Sequence, residues 1–237
     1  MIPISANEGD IYIWKGIDMS SYLYFGKMCI HPFWIEPNAQ NAFHRTNDWF
    51  VSLEDTTKTG NSLAWAIDQG KLIQANVADK ITWPGLLRSG LVPGEELTVD
   101  GMKFLCRAPI VEYDKLLYDA HPWNKSYWTY DQKTPREALE LSAGDNPFAV
   151  TVYGPEKNHV RLILEPLCPD LSCFEGLTAR LLGPTGVLTA KILEVGAYDL
   201  VCTNTKCLTG VSSSDWCQWF GKRLYIMRDA VLNAGFV

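Results

Sequence analysis

With 237 residues, 47% of them hydrophobic, the chain has enough apolar material to bury a core as one large domain or two unequal ones. A formal charge of -6 argues against a sequence-independent nucleic-acid binder, which needs a basic face to neutralise phosphates. No run of eighteen apolar residues occurs, and Met1 to Ser5 lacks the basic start and apolar stretch of a signal peptide, so the expectation is a soluble protein made in the cytoplasm.

Aromatics organise the N-terminal stretch. Trp14, Tyr22, Tyr24, Phe25, Phe33, Trp34, Phe43, Trp49, Phe50 and Trp65 are interrupted by Gly, Asn and Pro and lack helical spacing. Ile11 to Trp14 and Tyr22 to Phe25 read as short strands around a Gly16 to Ser21 turn, and Glu36 to Asn38 and Asp55 to Asn61 as surface loops. Trp beside Asn and Asp is also the vocabulary of sugar-stacking sites, but core packing of short strands uses the same residues and is favoured here.

Further along, Ile81 to Trp83 ends a strand, and Pro84 suits the first turn of a short helix because its missing N–H would go unpaired there anyway. Leu86, Leu87 and Leu91 give that helix an apolar face, and Gly90 stops it. Glu95 to Val99 alternates, Asp100-Gly101 is a type I′ hairpin signal, and Met102 to Cys106 returns as the partner strand. The segment His121 to Asp131 then packs four aromatics among polar, turn-prone residues, which predicts a loop presenting aromatic surface. An equal reading has Trp123 and Trp128 pinning that loop to the body. Thr134 to Leu141 predicts a short helix, with Thr134 as N-cap, Pro135 at the first position and Gly144 as stop. Cys168 to Ser172 reads as a linker. Beyond it, Gly176 to Glu194 alternates as two strands around Gly183 to Gly186, with further strands at Tyr198 to Thr203, Trp219 to Met227 and Ala230 to Ala234. Five short strands predict a small SH3-like or Sm-like barrel, a fold used for docking or assembly.

Reactive side chains form no familiar constellation. Seven cysteines without a secretion signal predict reduced thiols, and the C-x4-C spacings Cys168/Cys173 and Cys202/Cys207 lack the tight knuckles of a zinc site. His31, His44, His121 and His159 are scattered. Glu95, Glu96, Asp100, Glu112 and Asp114 are the acids available for glycosidase-type chemistry, but neighbouring acids at a hairpin read as a solvated face. Glu36-Pro37-Asn38 alone does not make a calcium site. No nucleophile elbow, zincin or phosphate-loop motif occurs.

The pattern I-T-W-x-x-L-x-x-x-G-L-V-x-G-x-E-L-x-V-D-G-x-x-F-x-x-R over Ile81 to Arg107 resembles a family of phage and prophage proteins from Gram-positive bacteria, related to the C-type-lectin-like and sulfatase-modifying-factor folds. The family closes its domain with a strand near G-W-R-P-V-L-E. Here His159 to Pro166 stands in that place, keeping Arg161, Leu164 and Glu165, with Leu162 where the proline would be. The resemblance covers Lys80 to Arg107 and Val160 to Pro166 and implies a lectin-like fold whose long loops carry ligands. The cysteine pair that sulfatase-modifying relatives use for oxidative chemistry has no counterpart that can be placed here.

The resulting expectation is an α+β protein, with a C-type-lectin-like mixed α/β domain over residues 1–166 and a small all-β SH3-like barrel over 170–237. Its function is non-enzymatic binding or structure, as a virion accessory, decoration or tail-associated phage protein. The alternative is an intracellular phage effector or counter-defence protein, or an enzyme. Trp123, Asn124, Tyr127, Trp128 and Tyr130 are the candidate ligand- or partner-binding residues, with no catalytic residue, metal or cofactor assigned. Phage structural proteins or a surface glycan are the expected partners, with no nucleic acid, no membrane insertion and room for a homo-oligomer. The expected location is the virion or the host cytoplasm.

Overall fold

The computed structural model describes residues 22–32, 49–56, 62–75, 80–110, 114, 127–134, 137–141, 147–151, 158–209 and 216–237. In chain order the elements are β1 (Leu23–Phe25), β2 (Lys27–Pro32), β3 (Trp49–Glu54), β4 (Leu63–Asp68), β5 (Lys71–Gln74), β6 (Lys80–Ile81) and α1 (Trp83–Arg88). There follow β7 (Glu95–Val99), β8 (Met102–Arg107), β9 (Tyr127–Thr134), β10 (Glu137–Leu141), β11 (Pro147–Thr151), β12 (Asn158–His159) and β13 (Ile163–Pro166). The C-terminal part contributes β14 (Thr178–Gly183), β15 (Gly186–Val195), β16 (Asp199–Thr209), β17 (Cys217–Phe220), β18 (Arg223–Met227) and β19 (Asn233–Phe236).

Twelve strands form one sheet in the order β1-β4-β5-β13-β8-β19-β14-β15-β16-β18-β17, with β7 paired to β8 off that path. All its pairings are antiparallel, and the sheet curls into a half-barrel. This overturns the expected mixed α/β, C-type-lectin-like domain: strand accounts for 58% of the structure and helical turns for 9%. The physical reason lies in the connections. Two-residue turns such as Gln69-Gly70 and Asp100-Gly101, each with two consecutive positive φ values, reverse the chain into hairpins where a mixed fold would need crossover helices. The α1 helix is the one α-helix among the described residues; its Thr82 Oγ1 accepts from the Gly85 N–H, and a proline sits in its first turn.

A second, five-stranded sheet runs β11-β10-β9-β12-β6. Of the short helix expected over Thr134–Leu141, Thr134 instead ends β9 and Glu137–Leu141 form β10, paired with β9 on one side and β11 on the other. Capping residues bias a segment towards helix by about 1 kcal/mol, less than two flanking ladders contribute. The pair β2-β3 forms a third, two-stranded sheet whose Val51 and Leu53 pack into the first core described below.

Among the described residues two large hydrophobic cores stand beside small clusters around Tyr22 and Ile73. The first gathers Leu23, Phe25, Trp65, Leu72, Trp83, Leu86, Phe104, Leu162 and Leu164, and it also takes Leu182 and Val187 from the C-terminal strands. Phe25 stacks on Trp65 and on Phe104 at ring separations of 5.7 and 5.8 Å, and the Trp65 indole N–H donates to the Phe25 carbonyl at 2.9 Å. The second core holds Leu171, Phe174, Leu181, Ile192, Leu200, Trp216, Leu224 and Ile226. Between the cores the sheet is continuous through β19, which pairs with β14 along its length and meets β8 at Gly235↔Met102. The Asp100-Gly101 turn lies on the backbone of Gly235 and Phe236, where a side chain at Gly101 or Gly235 would collide with main-chain atoms. One sheet with two cores thus spans the expected 166/170 boundary, and the C-terminal strands extend the same β-rich curled sheet.

Candidate functional site

Of the residues singled out from sequence, Trp123 and Asn124 lie outside the described residues. Tyr127, Trp128 and Tyr130 belong to β9, so from Tyr127 onward the segment expected as a loop is a strand. Tyr127 is opposite Leu141 on β10 and His159 on β12, while Trp128 is opposite Glu140. Tyr130 falls in the stretch between Trp128 and Gln132 where the β9-β10 register shifts. The backbone therefore brings these three positions together on one strand of the smaller sheet.

A buried ionic cluster ties β8, β13 and β5 to the chain that follows β8. Asp114 is fully buried and Arg107 nearly so. The guanidinium grips Asp114 through Nη1 to Oδ2 at 2.6 Å and Nη2 to Oδ1 at 3.0 Å, and it donates to Glu165 Oε1 from Nη2 at 2.6 Å and Nε at 3.0 Å. Lys71 Nζ approaches both carboxylates, at 3.4 Å from Asp114 and 3.3 Å from Glu165. The Ile110 N–H also donates to Asp114 Oδ2 at 2.7 Å, and the Asp114 N–H returns to the Ile110 carbonyl at 2.9 Å. Burial alone would raise both carboxyl pKa values, but the hydrogen bonds and charge of Arg107, helped by Lys71, win and hold Asp114 and Glu165 below the ordinary carboxylate range. Burial likewise works against the Arg107 cation, and its two carboxylate partners outweigh it and raise its pKa. Sequence reasoning placed Asp114 on a solvated face. The signal it passed over is that Arg107 and Glu165, both charged positions of the quoted pattern, contact each other. With both acids paired to cations, the cluster ties these strands together.

The terminal hairpin β17-β18 has the opposite character, because it displays what a core would hide. Gly221 sits at the first central position of the turn with φ 61°, as a type II′ hairpin requires, and Lys222 follows it. Directly opposed residues share a face: Cys217 and Trp219 lie with buried Ile226 and Leu224, and Phe220 lies with Arg223 on the other. Trp219 is nonetheless 52% exposed and Phe220 58% exposed. The Phe220 ring meets Tyr225 edge-on at 5.4 Å. Exposed Met227 continues the same strand, and exposed Tyr198 is tied to its end by the Arg228 N–H donating to the Tyr198 carbonyl at 2.9 Å.

Strand β17 ends the sheet, so one of its sides has no ladder partner among the described residues. The Met227 N–H donates to the Trp216 carbonyl at 2.9 Å, which makes 216/227 a hydrogen-bonded pair. Antiparallel alternation then makes Gln218/Tyr225 and Phe220/Arg223 hydrogen-bonded pairs and Cys217/Ile226 and Trp219/Leu224 the open ones. The N–H and C=O groups of Cys217 and Trp219 therefore point away from β18, toward the free edge. From Cys217 to Arg228 the chain has three cations and no carboxylate, against a formal charge of -6 for the whole. The sequence showed this stretch only as one strand, Trp219 to Met227; Gly221-Lys222 was the unread signal of a turn.

All seven cysteines are free thiols. Burial pushes the Cys202 thiol up to about 12 and raises Cys106 further. Among the described residues no group of three or more His, Cys, Asp or Glu side chains is arranged to hold a metal ion, and no helix is long and apolar enough to cross a membrane. Comparison with known protein families, curated proteins and solved structures finds no match.

Proposed function

We propose that this chain is a non-enzymatic binding or structural protein, phage-associated as the sequence resemblance implies, that docks through the end of its large sheet. The observation that carries this reading is the β17-β18 hairpin, where Trp219, Phe220, Met227 and Tyr198 stand exposed on a strand edge that no described strand pairs with, and on its flank. Native proteins ordinarily blunt such an edge because it pairs with other chains, and exposed aromatic side chains are the usual anchors of an interface. A second surface within the same proposal is the segment containing Trp123, Asn124, Tyr127, Trp128 and Tyr130, which would take a protein partner or a surface glycan. The virion is the proposed location, with the host cytoplasm as the alternative for an effector.

Density-gradient purification of particles tests the docking reading. Wild-type protein is expected to band with particles, whereas Trp219→Ala/Phe220→Ala, folded by circular dichroism, is expected in the soluble fraction. Wild-type protein missing from particles would remove the virion reading and favour the intracellular one.

A further inference from the structure

The geometry points to an acidic, extended segment of a partner protein as the occupant of the β17 edge, added to the sheet as a further strand. This deepens the docking reading above and rests on it. Three independent features specify the occupant. The outward N–H and C=O groups of Cys217 and Trp219 alternate at the two-residue spacing of a ladder, which a second polypeptide strand satisfies and a nucleic-acid backbone does not. Trp219 on one face and Phe220 on the other, both about half exposed, would flank alternate side chains of the added strand. Lys222 and Arg223 make no ion pair with any described residue, so the hairpin tip offers uncompensated cations beside the edge. The whole chain carries a formal charge of -6, so attraction for an acidic strand is local to the cations of this hairpin, and a second copy of the chain would bring the same net negative charge.

Fluorescence anisotropy with the full chain tests the inference, using labelled Glu-Val-Glu-Val-Glu-Val, labelled Lys-Val-Lys-Val-Lys-Val and a labelled oligothymidylate as probes. The acidic peptide is expected to bind about tenfold or more tightly than the basic one and to weaken as salt rises. Lys222→Glu/Arg223→Glu, at exposed positions that leave the fold intact, is expected to abolish or reverse that preference. Trp219→Ala is expected to weaken binding through the lost ring, and Trp219→Pro to abolish it, because proline additionally removes an N–H directed to the free edge. Equal affinity for both peptides, no binding of either, or Trp219→Pro no weaker than Trp219→Ala would overturn the inference. Tighter binding of oligothymidylate would replace it with a nucleic-acid surface, and a concentration-dependent dimer lost in Trp219→Pro would replace it with self-assembly. Loss of particle association in Trp219→Ala/Phe220→Ala without any acidic preference would sink this inference alone; unchanged association in that folded variant would sink the docking reading beneath it.

Discussion

Asp114 shows how much one side chain can carry. It is fully buried, yet every acceptor direction is used: two guanidinium contacts, one backbone N–H and a nearby ammonium. Removing one partner of such a pair leaves the other charge stranded, so Asp114→Asn is expected to destabilise the protein by roughly 3–5 kcal/mol, measured by urea denaturation. The pH dependence has a definite sign. The folded pKa values of Asp114 and Glu165 lie below their ordinary values of 3.8 and 4.5, so their stabilisation is fully present above those values. It is lost as pH falls through the lowered folded values. Melting temperature should therefore drop steeply below pH 4, and Asp114→Asn should flatten that drop; an unchanged acid limb would show that the cluster is not its source. Thiol chemistry follows the same logic of burial. Exposed Cys168, Cys173 and Cys207 are expected to react with a maleimide in the native state, and buried Cys106 and Cys202 only after denaturation, as read by mass spectrometry.

At the level of elements, local grammar was legible where a turn or cap decides the structure. Thr82 and a first-turn proline marked α1, Asp100-Gly101 marked β7-β8, and the Gly183 to Gly186 turn marked β14-β15. What was not legible depends on partners distant in sequence. Thr134 to Leu141 has the N-cap and first-turn proline of a helix, yet Glu137–Leu141 becomes β10 because β9 and β11 lie beside it. Trp219 and Phe220 looked like ordinary strand residues, since nothing local says that β17 is the last strand of its sheet. Arg107 and Asp114 are close in sequence, but the need to bury both arises only when β13 brings in Glu165 and β5 brings in Lys71. The hairpin turns also allow a prediction. Gly101 has φ 80° and lies against the Phe236 backbone, so Gly101→Ala combines left-handed strain of about 1–3 kcal/mol with a main-chain collision. A chemical-denaturation midpoint within error of wild type would mean that the turn tolerates displacement from β19.

For the molecule as a whole, the question is whether one sheet with two cores behaves as one cooperative unit. The change of sequence texture at Pro166 suggests a boundary, and the cores divide near it. Three features work against independent halves. Leu182 and Val187 belong to the first core although they lie on C-terminal strands; Arg180 reaches across to Asp100 through Nη1; and Asn233 donates through its side-chain amide to the Lys103 carbonyl. The intervening segment is itself held, since Leu171 and Phe174 are buried and Phe174 lies 4.6 Å from Phe236. Cutting the chain there would expose apolar surface on both sides, and each large side chain left uncovered forfeits about 1.5–3 kcal/mol. Differential scanning calorimetry is therefore expected to give a single transition whose calorimetric and van't Hoff enthalpies agree, and residues 170–237 expressed alone should melt well below the full chain. Two resolved transitions, with the isolated C-terminal part reproducing one of them, would support a domain boundary between residues 166 and 170 and reduce the β19-β8 seam to a contact between separately folded units.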